Sequence, residues 1–126
     1  MNGNKVFLDT NICIYLMNGD SVLADILQDQ NIYISFITEI ELFAYHSTNE
    51  KAEDILKEFI ESVTVLNIDE ATKRKAIEIR KNYKLKLPDT IIAASALAND
   101  IPFITADKGF KKLDILDLIL YENKKE

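Results

Sequence analysis

Short β-rich runs alternate with helical segments along the whole chain, and this alternation most restricts the folds that the sequence can adopt. Strands are predicted at residues 5–8, 31–36, 62–66, 103–105 and 115–121. Alternating strands and helices are typical of an α/β sandwich around a mostly parallel sheet. The chain has 126 residues, of which 48% are hydrophobic, so we expect one domain over residues 1–126 with a core that needs no disulfide.

Helices are predicted where apolar residues recur at helical spacing and capping residues flank them. Their expected ranges are 12–17, 21–28, 50–61, 70–83, 88–98 and 107–113. Thr10 or Asn11 is expected to cap the first of them, because hydroxyl and amide side chains can accept the free N–H groups of a first turn. A further helix is expected to begin at Thr38.

Several classes of protein are excluded by what the sequence lacks. No segment approaches the roughly 18 consecutive apolar residues of a membrane helix, and the first apolar run ends at Asp9, which leaves no signal-peptide core. We therefore expect a cytoplasmic protein with no membrane partner. Cys13 stands among apolar residues and is expected to be a core thiol, while the single histidine, His46, is expected to be solvated, so no zinc site is expected.

The charge is distributed unevenly. The chain carries 15 Lys and Arg against 21 Asp and Glu, a net charge of -6. Residues 1–70 hold 3 basic and 13 acidic side chains, whereas residues 71–126 hold 12 basic and 8 acidic ones. The overall charge disfavours indiscriminate binding to nucleic acid, but this distribution permits a local basic surface beside an acidic one.

Four acidic residues occupy equivalent places in the predicted layout. Asp9 ends the first strand, Glu41 is expected in the first turn of the helix after the second, Asp89 in the first turn of the helix opened by Pro88, and Asp107 follows the fourth strand. In an open parallel sheet, strand carboxyl ends and the starts of the following helices share one edge, where ligands bind. The four carboxylates are therefore expected to meet there.

Each acid also has a structural explanation when it is taken alone. Glu41 completes a capping box with Thr38, the helix dipole favours Asp89, and Asp107 can cap a short helix while Asp9 accepts backbone N–H groups. Together, four neighbouring carboxylates repel one another and raise some of their pKa values. A hard divalent cation relieves that repulsion, and Mg²⁺ or Mn²⁺ suits a set made only of carboxylates.

Four segments in this order resemble the signature regions of PIN-domain ribonucleases, most closely the single-domain VapC-type toxins of toxin–antitoxin modules. They are FLDTN at residues 7–11, ITEIEL at 37–42, LPDTIIAASAL at 87–97 and FITADKGF at 103–110. Each segment is weakly specific by itself, whereas the four in sequence order are fairly specific. The resemblance covers nearly the whole chain, from Val6 to about Leu120.

The resemblance implies a three-layer, Rossmann-like α/β/α sandwich and Mg²⁺- or Mn²⁺-dependent endonucleolytic cleavage of RNA. The substrates of such toxins are often transfer or ribosomal RNA, a cognate antitoxin blocks the site, and homodimers are common. The residues that match the metal-holding quartet are Asp9, Glu41, Asp89 and Asp107. Those that match the polar residues supporting the quartet by hydrogen bonds are Thr10, Asn11 and Thr105.

Periodicity alone does not choose between Glu39 and Glu41. In the helix expected to begin at Thr38, the two glutamates flank opposite sides of an apolar stripe predicted at residues 40–44. The match to the family selects Glu41 and leaves Glu39 as an outer partner of the site.

The expected reaction is hydrolysis of a phosphodiester by water, with the cation lowering the pKa of water and neutralising the developing charge. Asp9 and Asp89 are expected to contact the cation directly, with Glu41 and Asp107 holding water or a second ion. Basic side chains near the acids are expected to contact RNA phosphates, in particular Lys84, Lys86 and Lys108.

Two other functions share parts of this pattern. A non-catalytic PIN-fold module that binds RNA or protein has the same layout, although it has no use for four clustered acids. A phosphatase of the haloacid dehalogenase type also has Asp after its first strand, but it needs a second Asp two residues later, where this chain has Asn11.

Overall fold

The computed structural model describes residues 4–123 and arranges them around one five-stranded sheet. All neighbouring strands are parallel, in the order β3-β2-β1-β4-β5, so the mostly parallel sheet that the sequence predicts is parallel throughout. The strands are β1 (Lys5–Leu8), β2 (Asn31–Ser35), β3 (Thr64–Leu66), β4 (Phe103–Thr105) and β5 (Leu118–Leu120).

Six α-helices and a short 3₁₀ helix connect the strands. The helices are α1 (Thr10–Met17), α2 (Ser21–Leu27), α3 (Phe36–Tyr45), α4 (Glu50–Glu61), α5 (Glu70–Asn82) and α6 (Leu87–Ala98), and the 3₁₀ helix is Lys108–Lys112. No helix within residues 4–123 is long and apolar enough to cross a bilayer. Most predicted bounds agree with the structure to within one or two residues.

The sheet separates two hydrophobic cores, which gives the molecule three layers. On β1, Val6 and Leu8 enter one core together with apolar residues of α1, α2, α3 and α4, while Phe7 enters the other with residues of α5 and α6. Successive side chains on a strand point to opposite faces of the sheet, so a strand buried on both sides is apolar at every position. The predicted α/β/α sandwich is confirmed.

The beginning of α3 differs from the prediction. The helix begins at Phe36 and is capped by Ser35, whose hydroxyl accepts a hydrogen bond from the N–H of Ile37 at 3.0 Å. Thr38 is therefore buried inside the helix, and the predicted capping box with Glu41 is wrong. The predicted apolar face is wrong too, because Ile40 is 59% exposed while Thr38 and Leu42 are buried.

Two other local predictions are corrected. The cap of α1 is Asp9, which accepts a hydrogen bond from the N–H of Thr10, so neither Thr10 nor Asn11 caps that helix. The last strand is shorter than residues 115–121, because Leu116 is buried and its N–H donates to the carbonyl of Leu113, which turns the chain before Leu118.

The strand order positions the candidate site. The chain runs from β1 outwards through β2 to β3, and then crosses back to place β4 on the other side of β1. Connections on the two sides of β1 thus diverge at its carboxyl end, and such a switch point leaves a crevice in which α/β proteins bind ligands. Asp9 follows β1 directly, and Asp107 comes two residues after the end of β4.

Candidate active site

Asp9 is the most buried carboxylate of the predicted quartet, with 6% of its surface exposed. Its Oδ1 accepts a hydrogen bond from the N–H of Thr10 at 2.9 Å, and its Oδ2 accepts one from the hydroxyl of Thr105 at 2.6 Å. The amide of Asn11 lies 3.5 Å from Oδ2, and Asn11 Oδ1 accepts the N–H of Ala106 at 3.2 Å. Both oxygens of Asp9 are thereby held in place by residues at the ends of β1 and β4.

Glu41 is linked to Asp9 through Thr10, which hydrogen-bonds to both carboxylates. The Thr10 hydroxyl donates to Glu41 Oε1 at 2.8 Å and lies 3.0 Å from the hydroxyl of Thr38. A hydroxyl has one proton to donate, so Thr38 is the donor in the second contact. Thr10 thus links the first turn of α1 to α3, and it selects Glu41 rather than Glu39 for this corner of the site.

Asp107 is held at the end of β4. Its N–H donates to the Thr105 hydroxyl at 3.0 Å, and its Oδ1 accepts the N–H of Gly109 at 2.8 Å. The predicted capping of the short helix by Asp107 is therefore present. A Cβ on Gly109 would lie only 3.0 Å from Asp107 Oδ1, so glycine at this position lets the carboxylate stay against the backbone. Thr105 contacts both Asp9 and Asp107, one through its proton and the other through its oxygen.

Asp89 lies in the first turn of α6, next to Pro88. No side chain caps this helix by a hydrogen bond, and Asp89 is the acidic residue in its first turn, where the helix dipole favours a negative charge. Burial raises the pKa of the Asp89 carboxyl, the charges of Asp107 and Glu41 raise it further, and the nearby ammonium of Lys86 lowers it.

The pKa of the Asp9 carboxyl is raised by the same causes, and by more. Burial raises the pKa of its carboxyl from 3.8 to about 6, against the lowering effect of the hydrogen bonds from Thr105 and Thr10. The charges of Asp89 and Asp107 add to the increase. The structure thus brings together the four acids that the sequence predicts. Asp107 shares Thr105 with Asp9, and Glu41 shares Thr10 with Asp9. The charges of Asp107 and Glu41 in turn act on Asp89.

The carboxylates do not form a closed metal cage. Among residues 4–123, no three His, Cys, Asp or Glu side chains are grouped closely enough to hold a metal ion together. Mg²⁺ does not require such a cage, since it keeps several of its waters and is bound by one or two carboxylates. The carboxylates suit a hard cation for two reasons. All the donors are oxygen atoms, and the ionised form of Asp9 is disfavoured by burial and by its like-charged neighbours unless a positive charge is present.

The three predicted RNA-binding lysines are exposed and fall into two groups. Lys84 and Lys86 line a concavity of about 460 Å³ together with Arg80, beside the start of α6 and Asp89. Lys108 follows Asp107 and lines a different concavity with Tyr15 and Tyr121. Basic side chains therefore lie next to two of the four acids.

Cys13 and His46 have the environments that the sequence predicts. Cys13 is completely buried, and burial raises the pKa of its thiol, which keeps it protonated. His46 is exposed at the end of α3.

The fold and the acidic crevice together identify the class of protein. The chain matches the family model for the PIN domain over residues 6–116, and it belongs to the PIN-domain family. No curated protein matches the chain in sequence.

Solved structures support the predicted resemblance to VapC-type chains. The chain is similar to one from a toxin–antitoxin complex of Klebsiella pneumoniae, with 28% identity, a TM-score of 0.80 and coverage of 94% of this chain and 99% of that chain. It is also similar to a chain of VapBC-1 from nontypeable Haemophilus influenzae, at 25% identity and a TM-score of 0.79 with coverage of 92% and 97%. A chain of VapBC2 from Rickettsia felis, bound to a promoter DNA fragment, matches with a TM-score of 0.82 over 94% and 99%, and its 23% identity supports the fold alone.

Replacing Asp9 with Asn tests the electrostatic cost of the site in metal-free buffer. The folded chain holds the Asp9 proton up to about pH 6, whereas the unfolded chain releases it near 3.8. The contribution of this group to the free energy of unfolding is therefore fully present below pH 3.8 and is lost as the pH rises through 6. We expect chemical denaturation with EDTA to show a wild-type loss on the order of 3 kcal/mol across this window, which Asp9→Asn removes.

Asp25→Asn, on the exposed part of α2, is the matched control for the change of charge, and its stability should follow the pH dependence of the wild type. If the free energies of unfolding of wild type and Asp9→Asn changed in parallel from pH 4 to pH 7, ionising the buried carboxyl of Asp9 would not carry the cost described above.

Proposed function

We propose that this chain is a Mg²⁺- or Mn²⁺-dependent endoribonuclease and the toxin of a type II toxin–antitoxin module. The observation that carries the proposal is the burial of Asp9 at the switch point of the sheet, within range of the charges of Asp89 and Asp107. Membership of the PIN-domain family supports a nuclease. A buried carboxylate with like-charged neighbours destabilises a fold, so a role in binding a cation accounts for the presence of Asp9 and the acids around it.

Asp9 and Asp89 would hold the cation directly, and Glu41 and Asp107 would hold it through water. When bound, a divalent cation supplies Lewis-acid polarisation of the phosphoryl oxygen and neutralises the charge that develops in the transition state. The chain orients these oxygens in advance: Thr105 and the N–H of Thr10 fix Asp9, and the Thr10 hydroxyl fixes Glu41. A carboxylate of the set accepts the proton of the attacking water.

The substrate we propose is RNA, with transfer or ribosomal RNA as the first candidates. Lys84, Lys86 and Lys108 contact its phosphates on either side of the reacting bond. By analogy with the toxin–antitoxin complexes to which the chain is similar, its partner is an antitoxin protein. The predicted homodimer and the cytoplasmic location remain part of this proposal.

Incubation of the purified protein with total RNA tests the reaction. We expect wild-type protein to cleave RNA with Mn²⁺ and not with EDTA, and Asp89→Asn to reduce the rate by on the order of 100-fold, because it weakens the binding of the cation that stabilises the transition state. Asp25→Asn removes the same charge outside the site and should cleave at the wild-type rate. Cleavage by Asp89→Asn at the wild-type rate would contradict the assignment.

Thermal melting separates the nuclease from the non-catalytic alternative. A cation that binds only the folded chain raises the melting temperature, so Mn²⁺ should stabilise the wild type more than Asp89→Asn. If Mn²⁺ stabilised the wild type but no RNA were cleaved, the chain would be a non-catalytic module with a metal site.

The salt dependence of RNA binding tests the lysines near Asp89. Each lost phosphate contact lowers the slope of log affinity against log salt by about 0.7 for a single strand. We expect Lys84→Gln and Lys86→Gln each to reduce this slope, measured by fluorescence anisotropy with EDTA present. Lys57→Gln on α4, whose ammonium lies 4.0 Å from Glu53, is the control, and equal slopes for all three variants would contradict the predicted contacts.

Expression in a bacterial host tests the toxin assignment. The wild-type chain should arrest growth, Asp89→Asn should not, and co-expression of a short reading frame adjoining the source gene should restore growth. Growth arrest that persists equally in Asp89→Asn would mean that the arrest does not come from this site.

A further inference from the structure

A concavity of about 390 Å³ borders the candidate active site, and none of the roles proposed above uses its aromatic wall. The lining residues are Tyr15, Ala106, Lys108, Leu120, Tyr121, Glu122 and Asn123. The rings of Tyr15 and Tyr121 lie 6.4 Å apart between centroids, with 52° between their planes. Two aromatic rings beside one ammonium group are an arrangement that can hold a flat, uncharged group by stacking.

The walls of this concavity are bonded directly to the residues that hold the acids. The N–H of Tyr121 donates to the carbonyl of Thr105 at 2.8 Å, and the Thr105 hydroxyl donates to Asp9. On the other wall, Tyr15 lies one helical turn after Asn11 and so on the same side of α1. A group that stacks on one of these tyrosines from the concavity would therefore be next to the phosphodiester at the carboxylates.

The polar groups around the rings favour a neutral occupant. The hydroxyl of Tyr121 donates to Asp20 Oδ2 at 2.7 Å, which raises the pKa of the phenol to about 12, so the ring contributes no charge to the concavity. Lys108 and Glu122 place opposite charges at the same rim, so the concavity offers little net attraction to a phosphate inside it. Lys108 remains able to contact a phosphate next to the occupant.

We propose that this concavity, with Tyr15 and Tyr121 as its walls, binds one nucleobase of single-stranded RNA beside the cleaved linkage. The inference deepens the proposed function and rests on RNA being the substrate. A base that stacks on protein rings must leave its duplex stack. The base beside the cleaved linkage is therefore unstacked in the bound RNA.

Binding to two oligomers of the same length tests the base subsite without cleavage. One is fluorescein-labelled hexauridylate, and the other carries abasic tetrahydrofuran spacers on the same phosphate backbone; both are titrated by anisotropy with EDTA present. We expect wild-type protein to bind the first about ten-fold more tightly, because stacking on an aromatic side chain contributes this much per base. Tyr15→Leu and Tyr121→Leu should bind the two oligomers equally.

Phenylalanine variants keep the rings, so Tyr15→Phe and Tyr121→Phe should retain the preference for the oligomer that carries bases. Tyr45→Leu, at a tyrosine that is 73% exposed away from this concavity, should also retain it. Thermal melting of each leucine variant checks folding, and Tyr15→Leu decides the result if Tyr121→Leu loses stability with its hydrogen bond to Asp20.

The outcomes separate this inference from the nuclease proposal. Equal binding of both oligomers by the wild type, or an unchanged preference in both folded leucine variants, overturns the base subsite even if RNA is cleaved. The latter result is expected if the concavity takes a peptide side chain instead. A base preference that depends on Tyr15 supports the subsite, including in a protein that cleaves no RNA.

Discussion

The desolvation of Asp9 is the constraint on which the arrangement of the site depends. A carboxylate at the end of a central strand has lost most of its water, and two further acids lie close enough to repel it. Protein groups offset part of this cost, since the N–H of Thr10 and the hydroxyl of Thr105 stabilise the ionised form. The part that is not offset keeps the pKa of Asp9 raised, so a positive charge near this carboxylate would lower the cost of ionising it.

Two threonines connect Asp9 to the other carboxylates of the site. Thr105 donates its proton to Asp9 and accepts the N–H of Asp107, while Thr10 uses its backbone for Asp9 and its hydroxyl for Glu41. Each threonine thus fixes two carboxylates from opposite sides of β1. Moving one acid would disturb its neighbour through the shared hydroxyl, so the oxygens are held as a set, and a preorganised set of charges loses little energy to rearrangement during a reaction.

The sequence predicts the layers well because they follow from rules that act over short distances. The apolar run at residues 5–8 predicts β1 correctly, and the parallel sheet then carries Asp9 and Asp107 to one edge. The start of α3 differs from the prediction because Thr38 resembles a cap in the sequence, whereas Ser35 at the end of β2 takes that role. Thr38 and Gly109 were missed as parts of the site, since their roles depend on contacts to Thr10 and Asp107; the spacing of Thr38 three residues before Glu41 was the available signal for one of them.

The fold brings residues from the acidic half and the basic half of the chain to the same edge of the sheet. Asp9 and Glu41 come from the strongly acidic half, while Asp89, Asp107 and the neighbouring lysines come from the half with a basic excess. The crossover from β3 to β4 brings these halves to the same edge of the sheet. An acidic crevice alone repels a polyanion, and a basic surface alone has no affinity for a hard cation. The fold therefore brings acidic and basic side chains to one edge of the sheet by folding one half of the chain against the other, which is what the proposed metal-assisted cleavage of RNA requires.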